Sequence, residues 1–405
     1  MILLHITQAY DGGGVSRVIV NLAKAFSKLG HYNIVVAPKC SKEYVSAFNE
    51  CIEVPQLMLL KPFNSYLYGF LVSQSLLETL EKLPYSPDGI IVHPGWYAAL
   101  VRGLVKKYSN TAIVVVCHGT YSNELRFMKY HPITGYDRVK YMMGIVLSHK
   151  NEMKILKDTS SLSDEIAIVA VSRRTREELV SNGVRASSVH VILNGVDKGL
   201  FKPIDRTEAE EVLERRYGVK VKGFTIAHIG LGARKGTHIL IKALAMLKKR
   251  GVKFTALLAG KVGPPSYEQY LNELIRRSGL LENVKLLGWI REEDVPYLYN
   301  AADVTVVPSY SEGSPLVIPE SLACGTPVIA TDVGGNSEYL GVVNLRELLV
   351  NITVYDFSIE ITKKINYYIQ FFDNIRKKTG KYISCVPSWK EVAEDYMRIL
   401  KIVKL

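Results

Sequence analysis

Long apolar runs are missing from this sequence of 405 residues. No stretch of about 18 consecutive apolar residues occurs, and a membrane-spanning helix requires roughly that length, so no such helix is predicted. The first residues, MILLHITQAY, carry no basic segment ahead of their apolar run. We therefore interpret them as a first β-strand and not as a signal peptide, and we expect a cytoplasmic chain.

Cysteine is also scarce, and its spacing argues against two structural roles. The five cysteines are widely separated, odd in number and without a C-x-x-C pair. This pattern favours reduced thiols in a cytosolic chain, with neither a disulfide framework nor a zinc site. The residues are Cys40, Cys51, Cys117, Cys324 and Cys385.

Several cofactor motifs are absent as well. No D-x-D pair occurs, so a clustered-carboxylate site for Mg²⁺ or Mn²⁺ is not expected. The Walker A order is missing, and the glycines after the first strand (Gly12, Gly13 and Gly14) do not form G-x-G-x-x-G. No acidic residue ends the second strand to hold a ribose, which disfavours a dinucleotide cofactor. We predict neither a cofactor nor a metal ion.

Positive charge, in contrast, is abundant and concentrated. The net charge is +12, and residues 102–150 contribute half of it. Tyrosines and methionines are interleaved with the lysines and arginines there. Two interpretations stay open: a solvated surface, or a patch that holds a peripheral protein against anionic lipid headgroups or binds a phosphorylated acceptor. No nucleic-acid-binding motif occurs, so nucleic acid is not an expected partner.

Short β-branched runs alternate with helical segments along the whole chain. Continuous apolar runs such as IVVVC are typical of strands buried on both faces of a parallel sheet. The alternation occurs twice, which predicts an α/β protein with two doubly wound, Rossmann-like domains. We predict strands at 2–7, 32–38, 89–93, 111–117, 166–172, 189–193, 224–229, 254–260, 284–288, 304–308 and 327–331.

Domain boundaries follow from turn signals. The tetrapeptide 194–197 (NGVD) is such a signal, so the first domain is expected at 1–197 and the second at 198–385. A last helix begins after Pro387 and Ser388. We expect residues 386–405 to pack on either domain, including back on the first.

A glycine-rich turn follows the first strand of the second domain. It has the sequence GLGARKG at residues 230–236 and places Arg234 beside Lys235. Arginine binds two oxygens at once and lysine acts as a point charge, so this pair at a helix start suits a diphosphate. A polar turn with two solvated cations is the alternative.

The segment 308–327 carries the strongest signal for chemistry. Glu312 and Glu320 stand eight residues apart in a Gly/Pro-rich loop after a buried strand. Proline is favoured at the first helical position, so a helix is predicted to begin near Pro319 with Glu320 in its first turn. One carboxylate would reach a sugar and the other a ribose, with the diphosphate between them. Two unrelated surface glutamates are the alternative.

Two histidines end strands of the first domain. His118 follows the buried strand 111–117 and precedes Gly119, and His93 ends the strand 89–93. Ligands of open α/β sheets bind at the carboxyl ends of the strands, where an imidazole can donate to a sugar hydroxyl. A structural role is equally compatible with His118, and His93 is the weaker candidate.

Together these motifs resemble family GT4, the large family of retaining glycosyltransferases with the GT-B fold. The similarity runs over most of the chain and is specific for fold and reaction class, but not for substrate. The matching positions are Gly13, Gly14, His118, Ser172, residues 194–197, Gly260, Leu287, Gly288, Ala302, Asp303, Pro308, Ser309, residues 312–320, Gly334, Gly335, Glu338, Ser388 and Trp389.

The resemblance implies a cleft between two domains and a nucleotide-sugar donor. Glu312 would contact the donor sugar near its anomeric carbon, and Glu320 would bind the ribose hydroxyls. Arg234 and Lys235 would hold the diphosphate and stabilise it as a leaving group, and His118 would touch the sugar. The remaining donor-binding positions that it implies are Gly13, Gly14, Gly230, Gly288, Gly313, Ser314, Pro315, Leu316 and Val317.

The same resemblance implies metal-independent transfer with retention, in which the leaving phosphate takes the proton of the acceptor. Leu231 stands where many members have a further arginine, and residues 340–385 lack the usual glycine-rich stretch. The first domain is expected on the acceptor side. Residues 57–77, with Lys61, and the basic stretch 102–150 favour a lipid-linked acceptor at the cytoplasmic face of a membrane, and a lipid or a soluble saccharide acceptor stays open. The variable segment 119–165 is where we expect the acceptor to bind.

Other functions remain open on the same fold. A phosphorylase would require a lysine that carries pyridoxal phosphate, and a nucleotide-sugar epimerase would use the same donor. A non-catalytic subunit that binds a sugar nucleotide is the third alternative. The presence of Glu312, Glu320 and Lys235 argues against it.

Overall fold

A computed structural model describes residues 1–8, 13–60, 65–108, 110–122, 125, 136–162, 166–352 and 356–404. The side chains of 65–67, 136–141 and 404 are not described. The described residues form two compact units. The N-terminal unit contains the residues up to Gly195 together with those from Ser388 onward, and the C-terminal unit contains Val196–Pro387.

The N-terminal unit contains a parallel seven-stranded sheet of order β3-β2-β1-β4-β5-β6-β7. Its central strands are apolar on both faces, and β5 buries each of its residues. This is the arrangement that a sheet covered by helices on both sides requires. The strands are β1 (Ile2–Thr7), β2 (Tyr32–Ala37), β3 (Glu50–Glu53), β4 (Gly89–His93), β5 (Ala112–Cys117), β6 (Ile166–Ala170) and β7 (Val189–Val191).

Helices connect these strands. The hydroxyl of Ser172 accepts a hydrogen bond from the backbone N–H of Thr175, and this N-cap fixes the start of the helix that follows β6. The helices are α1 (Gly14–Lys28), α2 (Lys42–Ala47), α3 (Ser65–Leu80), α4 (Val101–Lys107), α5 (Tyr136–Ser160) and α6 (Arg173–Ser181). No helix among the described residues is both long and apolar enough to cross a membrane.

A disulfide bond joins Cys40 to Cys51, so the prediction that all cysteines are reduced is wrong for this pair. Parallel pairing of β2 with β3 places Val35 opposite Cys51. Helix α2 turns the chain back between the two strands, and the Cα atoms of the two cysteines lie 6.0 Å apart. This separation is within the usual range for a disulfide, but sequence spacing alone does not reveal it. Cys117, Cys324 and Cys385 are free thiols.

The C-terminal unit contains a parallel six-stranded sheet of order β10-β9-β8-β11-β12-β13. Asp205 caps its first helix, and Gly218 closes that helix in the left-handed conformation. The strands are β8 (Phe224–Leu231), β9 (Phe254–Val262), β10 (Val284–Gly288), β11 (Val304–Val307), β12 (Val328–Thr331) and β13 (Leu349–Val350). The helices are α7 (Arg206–Tyr217), α8 (Thr237–Lys249), α9 (Pro265–Arg277), α10 (Val295–Ala301), α11 (Val317–Ala323), α12 (Asn336–Val342), α13 (Ser358–Gln370) and α14 (Phe372–Tyr382).

The last helix, α15 (Trp389–Lys404), belongs to the N-terminal unit. The rings of Tyr396 and Phe26 of α1 lie 6.4 Å apart, edge to face. Leu400 packs so closely on Gly89 that a Cβ there would lie 3.0 Å from a leucine methyl. Residues from both ends of the sequence therefore complete the core of this unit.

The structure contains every strand that the sequence predicts, with ends that differ by a few residues. The strands that the sequence did not predict are β3 and β13, which are short and lie at sheet edges. Short edge strands carry little of the continuous apolar pattern on which strand prediction depends.

Candidate active site

Two loops of the C-terminal unit come together at one edge of its sheet. Strands β8 and β11 are neighbours and run parallel, with Val304 opposite Ile226. Parallel neighbours end at the same edge, so the glycine-rich turn after β8 meets the segment that follows β11. The backbone N–H of Tyr310 donates to the carbonyl of Arg234 over 2.9 Å and joins the two loops directly.

Glycines allow these loops to pack without side chains between them. Gly236 adopts φ +69°, and a Cβ at this position would collide with the carbonyl oxygen of Pro308. A Cβ at Gly334, which has φ +52°, would likewise collide with the carbonyl oxygen of Glu312. The N–H of Gly335 donates to the carbonyl of Gly313 over 2.7 Å. The backbone around Glu312 is therefore held from two sides.

The side chain of Glu312 binds both cations of the turn. Its Oε1 accepts hydrogen bonds from Lys235 Nζ over 2.7 Å and from Ser309 Oγ over 2.6 Å. The guanidinium of Arg234 lies 3.6 Å from Oε2. The same guanidinium donates to the carbonyl oxygen of Ser311 over 2.6 Å. One buried carboxylate thus fixes an ammonium and a guanidinium side by side.

Opposing effects set the pKa values of this group. Burial disfavours the charged form of Glu312, but the attraction of Lys235 and Arg234 outweighs it and lowers the pKa of the carboxyl group. Burial also lowers the pKa of Lys235, although the neighbouring Glu312 acts in the opposite direction. The carboxylate is therefore charged at neutral pH and stabilises cations that the interior would otherwise disfavour.

Glu320 lies in the first turn of α11 and is 3% exposed. The hydroxyl of Tyr299 donates to its Oε2 over 3.1 Å. The helix begins at Val317, earlier than predicted, because proline is tolerated anywhere in a first turn whose N–H groups have no partner within the helix. Preceding it, Ser314 shares a 2.6 Å hydrogen bond with Tyr339.

Two further donor-binding candidates of this unit are glycines at the same sheet edge. Gly230 has φ +95°, and a Cβ there would touch the Lys235 side chain. Gly288 ends β10, which β9 separates from β8, and a Cβ there would meet nothing within 4 Å. Beside it Trp289 is 61% exposed, with the ammonium of Lys261 lying 5.8 Å from its ring centre.

In the N-terminal unit the candidates are neutral groups. Gly13 caps α1, the helix that follows β1, and Gly14 begins it. A Cβ at Gly14 would meet nothing within 4 Å. His118 follows β5, and its Nε2 lies 2.9 Å from Nδ1 of His93 at the end of β4. Gly12, from the same glycine run, lies outside the described residues.

These histidines belong to a row of three along the sheet. The ring of His5 on β1 stacks on His93 at 6.0 Å, and His93 stacks on His118 at 5.2 Å. Burial lowers the pKa of His5 and of His118 to about 4, and that of His93 well below its ordinary value. All three imidazoles are therefore neutral near pH 7.

Sequence reasoning found the charged residues but missed several of their partners. Tyr299, which orients Glu320, gave no signal beyond its place in a buried region. Ser309 matched the family pattern, but the sequence did not reveal that it binds Glu312. His5 gave none, because its strand alone does not reveal that β4 lies beside β1. The structure brings Arg234, Lys235 and Glu312 into one cluster, while Glu320 binds Tyr299 separately.

Comparison with known proteins connects this geometry to a family. The family model described as Glycosyltransferase Family 4 matches residues 12–199, and the one described as Glycosyl transferases group 1 matches residues 211–349. The two matches do not overlap and together span about four-fifths of the chain. The chain belongs to the group 1 glycosyltransferases.

Curated relatives of this group 1 glycosyltransferase are similar over part of their length. A D-inositol 3-phosphate glycosyltransferase of Salinispora arenicola is 31% identical over 192 residues, covering 45% of this chain and 43% of that protein. The lipopolysaccharide core biosynthesis mannosyltransferase LpsB of Rhizobium meliloti is 33% identical over 178 residues, covering 42% and 47%. The chain thus spans less than half the length of these relatives.

Solved structures match the group 1 glycosyltransferase over its whole length and show that it has the GT-B fold. Sucrose-phosphate synthase of Thermosynechococcus elongatus aligns with a TM-score of 0.77 at 18% identity, covering 100% of this chain and 99% of that one. HepE of Anabaena, in complex with UDP-glucose, aligns with a TM-score of 0.75 at 21% identity, covering 99% and 100%.

Proposed function

We propose that this group 1 glycosyltransferase moves a hexose or N-acetylhexosamine from a nucleotide-diphosphate sugar to a hydroxyl acceptor, with retention and without a metal ion. The cluster of Lys235, Arg234 and Glu312 carries the proposal. It is a preorganised pair of cations at the carboxyl edge of a parallel sheet, which is where such sheets bind ligands.

The leaving group determines what the cations do. A nucleoside diphosphate gains negative charge as the bond to the sugar breaks, and fixed cations stabilise that charge without reorganising. Arg234 offers several donors and Lys235 a compact charge. Glu312 holds both in place through contacts of 2.7 Å and 3.6 Å. Two cations against one carboxylate leave a net positive charge for the diphosphate.

Retention follows from the face on which the acceptor attacks. The acceptor oxygen attacks the anomeric carbon on the face from which the diphosphate departs. The carbon–phosphate oxygen bond breaks as the new carbon–oxygen bond forms, and the hydroxyl proton passes to the departing phosphate oxygen. This scheme requires no separate base, and His118 would be a weak one because burial lowers its pKa to about 4.

We propose the remaining contacts to the nucleotide-sugar donor from where each residue lies in the C-terminal unit. Glu320 binds the ribose hydroxyls, and the hydroxyl of Tyr299 orients its carboxylate. Backbone N–H groups from Gly313 to Val317 assist the diphosphate, and Gly288 lines the base pocket. A solved neighbour, HepE of Anabaena, was crystallised with UDP-glucose, so UDP-sugars are the first donors to test.

Thermal unfolding in the presence of UDP-, GDP- and ADP-sugars, in EDTA, tests donor binding. A ligand at about 100 times its Kd stabilises the bound protein by roughly 2.7 kcal/mol, which raises Tm by a few degrees. We expect one nucleotide class to do so, and Glu320→Ala to weaken the shift. Glu282→Ala, which removes an exposed glutamate of the same unit, is the matched control.

Activity then tests the reaction itself. With the donor so identified, we expect transfer to a sugar hydroxyl in EDTA, and NMR of the product to show the anomeric configuration of the donor. No thermal shift with any of these donors would contradict the assignment of the cluster to a diphosphate. An inverted product, or activity that requires added metal, would contradict the mechanism.

A membrane-associated, lipid-linked acceptor is the part of the proposal that rests on the N-terminal unit. Helix α3 exposes Phe70 at 72% and Leu71 at 60%, and Arg102 and Lys106 of α4 are exposed nearby. A cavity of about 900 Å³ lies between α3, α4 and α5 with these two cations and Phe70 in its lining. Apolar side chains beside cations are typical of a surface that contacts anionic lipid.

Vesicle flotation tests this contact. We expect the protein to float with vesicles that contain phosphatidylglycerol at low salt, but less with neutral phosphatidylcholine vesicles or with Arg102→Gln/Lys106→Gln. Protein that stays unbound in every case would contradict membrane association. Other basic residues of the stretch 102–150, Arg126 and Lys129, and also Lys61, lie outside the described residues.

A further inference from the structure

The contact between His93 and His118 determines which ring nitrogen of His118 carries a proton. The two rings meet through Nδ1 of His93 and Nε2 of His118, 2.9 Å apart, so one nitrogen donates and the other accepts. Burial keeps both imidazoles neutral near pH 7 because it lowers both pKa values. Each ring therefore has a single N–H, and only two arrangements of the two protons satisfy the contact.

The second nitrogen of His93 decides between these arrangements. Nε2 of His93 is buried and has no hydrogen-bond partner among the described residues. If His118 donated, the one proton of His93 would sit on this nitrogen as a buried N–H without an acceptor, and such orphaned donors are rare in proteins. If His93 donates, the same nitrogen is a bare lone pair, which is the less costly state.

We infer that His93 is a positioning residue: it donates from Nδ1 to Nε2 of His118 and thereby holds His118 in the tautomer that carries its proton on Nδ1. His118 then presents an N–H donor, and not a lone pair, to its ligand. The His118 side chain is partly exposed, so it can reach a ligand. The stacked ring of His5 supports His93 from the other side.

This inference rests on the proposed function only for what the donor binds. A fixed N–H at a strand end can donate a hydrogen bond to a hydroxyl or ring oxygen of the bound sugar. A lone pair there would instead act as a base. In the proposed mechanism the leaving phosphate takes the acceptor proton, so a donor is the more useful group. His93 would thus act on the reaction without touching the substrate.

Nitrogen-15 NMR of protein labelled at histidine tests the tautomer directly. In the wild type we expect the His118 signals, assigned by their loss in His118→Asn, to show a proton on Nδ1 and none on Nε2. In His93→Phe, which keeps a flat ring against His5 but cannot donate, we expect the proton to move towards Nε2. In His93→Gln, whose amide N–H can donate, we expect the wild-type pattern to return.

Kinetics provide a second measurement. Loss of one oriented hydrogen bond corresponds to about a tenfold fall in kcat/KM, so we expect that fall for His93→Phe and most of the activity back for His93→Gln. A wild-type His118 with its proton on Nε2 would overturn the inference. So would equal losses in both variants without a tautomer change, which would indicate mere packing. Absence of any transferase activity would refute the proposed function but leave the NMR result standing.

Discussion

The carboxyl edges of the two sheets differ in charge. In the C-terminal unit a carboxylate holds two cations at the edge, with Lys235 and Glu312 only 2.7 Å apart. In the N-terminal unit His93 and His118 lie at strand ends, His5 lies inside β1 beside them, and burial keeps all three imidazoles neutral. Fixed charge suits a diphosphate, whereas neutral hydrogen-bond donors suit hydroxyls, so the two edges differ in the chemical group that each can bind.

The glycines of the two edges also differ in how closely neighbouring atoms pack against them. In the C-terminal unit Gly236 and Gly334 touch neighbouring carbonyl oxygens and leave no room for a Cβ. In the N-terminal unit Gly14 has open space above it. The backbone around the charged cluster is thus closely packed, because buried charges require fixed partners.

The largest effect is expected from removing a charge at the C-terminal edge. Lys235→Met should lower the transfer rate by about 1,000-fold, because it removes a preorganised cation from the departing diphosphate. It should also destabilise the protein by about 3 kcal/mol, because it leaves Glu312 buried without its closest cation. Transfer assays and urea unfolding measure the two effects.

The double variant Lys235→Met/Glu312→Gln separates the loss of rate from the loss of stability, because it removes both charges. We expect stability to recover in part and the rate to stay low. Lys249→Met, at an exposed lysine of α8, is the control and should change neither. A Lys235→Met rate within tenfold of wild type would remove the basis for assigning the leaving-group charge to this residue.

Glycine substitutions test the difference in packing. Gly218 and Gly236 have nearly the same φ, +66° and +69°, but only Gly236 is blocked by a neighbouring carbonyl. Gly218→Ala should cost about 1 kcal/mol of stability, the cost of the left-handed backbone alone. Gly236→Ala should cost about 3 kcal/mol or more, because the Pro308 loop must move as well.

Gly14→Ala completes this series at the other edge. We expect it to leave stability almost unchanged, because the new methyl group has space and φ is not positive. Urea unfolding of the three variants ranks them. If Gly236→Ala and Gly218→Ala cost the same, the close contact with Pro308 is not what fixes the loop.

Reduction of the Cys40–Cys51 bond should affect the N-terminal unit alone, because the bond lies within it. A cross-link that closes a loop of this length contributes about 3 kcal/mol, so reducing agent or Cys40→Ser/Cys51→Ser should destabilise that unit by up to this amount. The variant should respond no further to reducing agent. Thiol titration in denaturant, without reductant, should count only Cys117, Cys324 and Cys385.

The neutral edge should also make the protein sensitive to acid. The pKa of His5 is about 4 in the folded protein and ordinarily 6.5, so the unfolded chain binds the proton more tightly. The stabilising contribution is therefore complete above pH 6.5 and is lost as pH falls towards 4, by about 2 kcal/mol at pH 5. We expect Tm to fall over this range and His5→Leu to flatten the fall.

His190→Gln, at a half-buried histidine of the same unit, is the control and should change the slope less. A wild-type Tm that is constant between pH 6.5 and pH 5 would contradict the neutral state of the buried imidazoles. Because His228 of the C-terminal unit is also buried with a pKa of about 4, the comparison of variants matters more than the total slope.

The sequence predicted much of this architecture because its signals are local. Buried parallel strands, the glycine-rich turn at Arg234 and the loop from Glu312 to Glu320 are each visible within a short window. What it did not predict depends on distant pairing. Lys235 and Glu312 are 77 residues apart, and only the adjacency of β8 and β11 brings them into contact.

Distant pairing also explains what the sequence failed to predict in the N-terminal unit. The partnership of His5 and His93 requires β4 to lie next to β1, an order that skips two strands of the sequence. The Cys40–Cys51 bond depends on a short edge strand, β3, that carries little apolar pattern. Long-range order of strands, and not the type of each element, was the missing information.

The position of α15 has a consequence for how the protein is made. The helix completes the N-terminal unit, yet it leaves the ribosome only after Val196–Pro387 has been synthesised. Throughout that interval the surfaces of Phe26 and Gly89 that Tyr396 and Leu400 later cover stay uncovered on the nascent chain. The N-terminal unit is therefore the first to be translated but the last to be completed.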